Sequence, residues 1–83
     1  EELSVETYPN PFRSYLVLKL GNPNKDEVLI QMLDVAGRSV IMKNSAPSAD
    51  SMYQIDTENL ESGLYILRVK VGSYLKTIKV MKE

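Results

Sequence analysis

The chain has 83 residues, with ten basic and eleven acidic side chains and a formal net charge of −1. That length makes a single domain, residues 1–83, the expectation, and the charge balance lacks the clustered basic excess of a nucleic-acid binder. A hydrophobic fraction of 43% supplies a core, and no apolar run reaches the roughly 18–20 residues of a membrane-spanning helix.

The opening residues Glu1-Glu2-Leu3-Ser4 carry no signal-peptide pattern. A piece of a longer precursor would open the same way, so this start assigns no compartment. With no cysteine there is no disulfide framework and no thiolate chemistry.

The hydrophobic pattern has a period of two, as strands require. Leu3 to Thr7 is a short extended segment. It ends at Tyr8-Pro9-Asn10-Pro11-Phe12, where each proline ring fixes φ and removes a backbone donor. Tyr8 and Asn10, each preceding a proline, are pushed toward extended geometry. The result is a stiff, non-helical corner. In Tyr15 to Leu20 the side chains alternate, with Leu16, Leu18 and Leu20 on one face. Gly21 to Asp26 is dense in turn formers and reads as a loop.

Val28 to Leu33 is the next strand, with Val28, Ile30 and Met32 on one face. Leu29 and Leu33 on the other face suggest a central strand, covered in part on both sides. Asp34-Val35-Ala36-Gly37 fits a type I turn, with Asp first and Gly fourth. Arg38 to Met42 returns as its hairpin partner. Asn44 to Ser51 is a surface loop. Met52 to Asp56 is a short strand with Tyr53 and Ile55 inward, and Thr57 to Ser62 is a connection with room for one helical turn.

Gly63 to Val71 is the strongest strand, with Tyr65, Leu67, Val69 and Val71 on one face. Gly72-Ser73 signals a two-residue type II′ hairpin. Tyr74 to Met81 is the last strand, with Ile78 and Val80 inward. About seven strands spaced about 10–13 residues apart predict an all-β fold, a small antiparallel β-sandwich.

Chemistry-bearing constellations are missing. Without histidine or cysteine there is no Ser-His-Asp or Cys-His arrangement and no usual zinc ligand set. Gly21, Gly37, Gly63 and Gly72 stand alone at strand ends, so no phosphate-binding loop occurs. The reading is therefore no enzyme and no cofactor. Asp56, Glu58 and Glu61 share one connection and are the candidates for a calcium ion, which takes oxygen ligands. A solvated acidic loop is the alternative. Tyr53 and Tyr65 are expected in the core with their hydroxyls at its rim, and Tyr15 and Tyr74 on the surface. Lys76, Lys79 and Lys82 punctuate the last strand. On an exposed edge such lysines discourage aggregation, and the same edge offers a receptor a strand to dock on.

Four landmarks follow one another in order. They are Tyr8-Pro9-Asn10-Pro11, Asp34-Val35-Ala36-Gly37-Arg38-Ser39-Val40, Leu60-Glu61-Ser62-Gly63-Leu64-Tyr65, and Lys76-Thr77-Ile78-Lys79-Val80-Met81-Lys82. In this order they resemble the type A C-terminal sorting domain of the type IX secretion system (the Por secretion system). The resemblance covers nearly the whole chain. It implies an Ig-like β-sandwich at the end of a larger secreted protein of a Gram-negative bacterium. The cargo domain precedes it in the same precursor.

It also implies a route: periplasm in transit, recognition by outer-membrane translocon components, removal by a sortase-like peptidase, and delivery to the cell surface or medium. Pro9, Asn10 and Pro11 would shape the corner, Asp34, Gly37, Gly63 and Gly72 the turns, and Tyr65 the core. Tyr74, Lys76, Ile78, Lys79, Val80 and Lys82 would form the recognition strand, with the three lysines outward. Cleavage would fall near Glu1 to Ser4 or upstream. Glu83 is a departure, since such families often end at or near the lysine. The competing expectation is an Ig-like accessory module that binds a glycan or protein through Tyr15 or Tyr74. A third is an assembly protein, because the Tyr-Pro-Asn-Pro-Phe start also resembles Ig-like domains of flagellar hook-capping proteins.

Overall fold

The computed structural model describes residues 3–21, 26–48 and 50–83. Its strands are β1 (Ser4–Tyr8), β2 (Tyr15–Gly21), β3 (Val28–Leu33), β4 (Ser39–Ser45), β5 (Met52–Asp56), β6 (Gly63–Val71) and β7 (Tyr74–Lys82). They form a three-stranded sheet in the order β1-β2-β5 and a four-stranded sheet in the order β4-β3-β6-β7. Every strand pair is antiparallel. The sequence places strands and turns in this order because β-branched and leucine runs alternate with polar residues and stop at Gly, Pro or Asp.

The inward faces of the two sheets make one core. Leu16 and Leu18 from β2 are fully buried, as are Val28, Ile30 and Met32 from β3. Leu67, Val69 and Val71 from β6 and Val80 from β7 join them. Each such side chain contributes about 1.5–3 kcal/mol on burial. β3 lies between β4 and β6, and its outer residues Leu29 and Leu33 are half-buried, as their apolar character predicted.

Some boundaries differ from the sequence reading. β1 continues into Tyr8, which pairs with Val17 before the prolines end the ladder. β4 runs on to Ser45, opposite Val28, so the loop expected from Asn44 begins at Ala46. Thr57 to Ser62 forms a turn closed by Leu60 N–H donating to the Thr57 carbonyl at 3.1 Å. No helix forms there. The loop expected at Gly21 to Asp26 falls mainly on residues 22–25, outside the described residues.

Three glycines have positive φ: 87° at Gly37, 142° at Gly63 and 59° at Gly72. Ser73 does not share that sign, so the β6–β7 hairpin is the expected type II′ turn. Ser51 is the described non-glycine residue with positive φ, at 59°. Its corner is held by Asp50, whose Oδ1 accepts from the Met52 N–H at 3.0 Å and the Ser48 hydroxyl at 2.5 Å.

Candidate functional site

The four landmarks converge at one end of the four-stranded sheet, where β6 begins and β7 ends, opposite the Gly72-Ser73 turn. β7 is an edge strand. Its final residues are nonetheless covered. The Asn10 carboxamide Oδ1 accepts from the Met81 N–H at 3.1 Å. Phe12 N–H donates to the Met81 carbonyl at 2.8 Å, and Glu83 N–H donates back to the Phe12 carbonyl at 2.8 Å. Phe12 and Lys82 thereby form a parallel bridge. Arg13 completes the latch by donating Nε–H to the Glu83 carboxylate at 2.6 Å. The Tyr8-Pro9 and Asn10-Pro11 peptides are both cis. Pro9 and Pro11 have no N–H, and the corner donates to β7 through Phe12 N–H.

Since Met81 directs its N–H and carbonyl to this latch, alternation along β7 directs those of Leu75, Thr77 and Lys79 to the same side. Among the described residues, that stretch of the β7 edge pairs with no further strand. The latch anchors through Phe12, which is fully buried with its ring centroid 6.4 Å from that of Tyr65. Tyr65 donates its hydroxyl to the Glu61 carbonyl at 2.6 Å. A tyrosine at the start of a strand bonding a few residues upstream is the tyrosine corner of Ig-type sandwiches.

The lysines divide. A strand turns successive side chains to opposite faces, so the three-residue spacing of Lys76, Lys79 and Lys82 cannot present all of them on one side. Lys79 is exposed on the outer face. Lys76 and Lys82 lie on the core-facing side, Lys76 exposed and Lys82 buried. The expectation that Lys82 points outward is corrected: it is 8% exposed and donates Nζ–H to the Thr57 carbonyl at 2.5 Å. Thr57 is fully buried, donates its hydroxyl to the Arg13 carbonyl at 2.9 Å, and donates its N–H to the Ser14 carbonyl at 3.0 Å. Sequence reading passed over Thr57, although it continues the inward series Tyr53, Ile55 and would have been found by extending that alternation.

Other members of the expected recognition strand also point inward. Val80 is fully buried, and Tyr74 and Ile78 are half-buried against the core. Tyr74 was expected on the surface; its even spacing from Ile78 and Val80 places it on the inner face. Tyr15 is 44% exposed, as expected. It stands on the other sheet from Tyr74, so the two do not make one aromatic platform.

The β3–β4 turn is built by Asp34. Gly37 N–H donates to its carbonyl at 3.0 Å. Its Oδ1 accepts from the Ala36 and Arg38 amides at 3.0 and 2.9 Å, and its Oδ2 accepts from Arg38 Nε at 2.8 Å. The Arg38 amide, followed by the Arg38 side chain and the Ala36 amide, holds this carboxyl below its ordinary value of 3.8. Asp56 caps its own connection, its Oδ1 accepting from Glu58 N–H at 3.0 Å. Among the described residues, no three acidic side chains converge on a metal-sized site.

Residues 6–83 match the family described as the secretion system C-terminal sorting domain. The chain belongs to this family. The fold of the sorting domain is that of a solved DUF3244 family protein from Bacteroides vulgatus, described as an immunoglobulin-like β-sandwich. The two share 20% identity with a TM-score of 0.77, covering 99% of this chain and 95% of the other. No curated protein matches the chain. Membership implies a cargo precursor and export through the outer membrane by the type IX system. Among the described residues, no helix is long and apolar enough to cross a membrane.

Proposed function

We propose that residues 1–83 are the terminal sorting domain of a larger secreted protein, non-catalytic itself, whose β6–β7 hairpin is read by the outer-membrane translocon. The precursor passes through the periplasm. A sortase-like peptidase then cuts upstream of β1, near Glu1 to Ser4 or before it. Glu1 and Glu2 lie outside the described residues.

The observation that carries this reading is the family match over residues 6–83. The placement of the free edge supports the recognition element. Among the described residues, the outward backbone groups of Leu75, Thr77 and Lys79 have no strand partner and Lys79 is exposed, which is what strand addition by a receptor requires. The latch leaves this segment open and covers the rest of the edge at Met81.

The test is a fusion of residues 1–83 to the end of a periplasmic reporter in a type IX-competent cell. The expected outcome is reporter at the surface or in the medium, with the domain removed. Reporter retained in the periplasm overturns the sorting role. Reporter delivered with the domain still attached overturns only the cleavage step.

A further inference from the structure

Strands β3, β4, β6 and β7 contain Lys43, Arg68, Lys70, Lys76, Lys79 and Lys82, and no aspartate or glutamate. Alternation sends Arg68, Lys70 and Lys79 to the outer face, where all are exposed. Among the described residues none of the three forms an ion pair. Apolar side chains stand among them, with Met42 62% and Leu75 53% exposed. A dimple of about 30 Å³ lies in this face, lined by Leu29, Gln31, Arg68, Lys70 and Leu75. The three-stranded sheet differs: its outer face sets Glu6 opposite Lys19 and Asp56 beside Tyr15.

A face with uncompensated cations around an apolar centre complements a surface with the opposite charge and a protruding aliphatic group. A second copy of the sheet is a poor occupant, because it would oppose Arg68, Lys70 and Lys79 with their own like charges. A lipid surface is also a poor match. The face carries no Trp, Tyr or Phe side chain of the kind that anchors at membrane interfaces. The adjoining edge at Leu75, Thr77 and Lys79 calls for backbone donors as well as acceptors, which another polypeptide supplies.

We propose that the outer face of the four-stranded sheet seats an acidic protein surface, with carboxylates on Arg68, Lys70 and Lys79 and one aliphatic side chain over the Leu29–Leu75 dimple. This deepens the sorting reading and rests on it, since the partner belongs to the export machinery.

The test uses the full cargo fusion in a type IX-competent cell. R68E/K70E/K79E is expected to lower surface delivery about tenfold or more, because like charges then face each other across the contact. Its urea midpoint should match that of the unmodified fusion, since all three side chains are exposed. If the reversed variant is less stable, the milder R68Q/K79Q decides, compared with K19Q/Q54E, which makes the same change in net charge on the opposite sheet. Loss of delivery with R68Q/K79Q alone supports the proposal. Equal delivery by both pairs overturns it. If the unmodified fusion is not delivered, the sorting reading falls and this proposal with it. Binding of the purified fusion to phosphatidylglycerol vesicles, abolished by R68E/K70E/K79E, would replace the protein partner with a lipid surface and overturn the proposal as stated.

Discussion

Asn10 and Met81 stand 71 positions apart and are joined by a single hydrogen bond, Met81 N–H to Asn10 Oδ1 at 3.1 Å. The bond fastens the first corner of the chain to its last strand. Phe12 extends the connection by two backbone hydrogen bonds and by burying its ring against Tyr65. The corner that ends β1 is therefore also the cover on the end of β7.

Asn10→Ala removes one acceptor from an edge N–H. It is expected to cost about 1 kcal/mol, the usual net value of such a bond. Hydrogen exchange should speed up at the Met81 amide, with little change at Val69. Phe12→Ala empties a fully buried site and is expected to cost about 3–5 kcal/mol. Urea titration separates the two. Equal losses would show that the buried ring contributes no more to the latch than the single hydrogen bond from Asn10.

Lys82 is buried beside the Thr57 carbonyl, which also accepts from Leu60 N–H. Lys82→Met keeps the aliphatic stem and leaves that carbonyl one partner. Its expected effect on stability is within about 1 kcal/mol, because the lost hydrogen bond is offset by the avoided desolvation of the ammonium. Lys82→Glu places a carboxylate against carbonyl oxygens and is expected to cost about 3 kcal/mol or more. Thermal or urea unfolding of the two variants checks the order.

Thr77→Pro removes an N–H that points away from β6, so the sheet should tolerate it as edge strands do. Ile78→Pro removes a ladder donor and leaves a partner carbonyl unpaired, which is expected to cost about 1–3 kcal/mol. A receptor that adds a strand at Leu75 to Lys79 would lose a donor in the first variant. The expected result is a folded domain with reduced surface delivery. Normal delivery by Thr77→Pro would sink docking through this edge.

The carboxyls of Asp34 and Asp50 are both held below 3.8, Asp34 chiefly by the Arg38 amide and Asp50 chiefly by the Ser48 hydroxyl. A depressed folded pKa contributes stability that is fully present above the unfolded value. It is lost as pH falls through the folded value. The urea midpoint should therefore decline below pH 3.8, and Asp34→Asn should flatten that decline. An unchanged slope in the variant would remove Asp34 from the account.

Gly37 has φ of 87°, and a Cβ built there meets no atom within 4 Å. The penalty for Gly37→Ala is therefore conformational and not steric against neighbours, about 1–2 kcal/mol. Gly37→Asn should cost less, because asparagine tolerates the left-handed region. Equal unfolding midpoints for the two variants would argue against this account.

Alternation, turn residues and the four ordered landmarks determine much of this protein in advance: seven strands, their inward faces, the hairpin types and the sorting family. These are local properties, since a period of two and a glycine at a turn act within a few residues. The sheet order, the latch and the fate of each lysine are not local. Lys76, Lys79 and Lys82 look equivalent in the sequence, yet an odd spacing along a strand separates their faces, and only the folded connection at Thr57 covers Lys82. Asn10 reads as turn punctuation until the fold sets it beside Met81. The charge segregation of the larger sheet likewise emerges only when β3 and β4 are placed next to β6 and β7. Pairing between distant segments decided these features, because the partners that satisfy an edge N–H or bury a lysine stem lie far away in the chain.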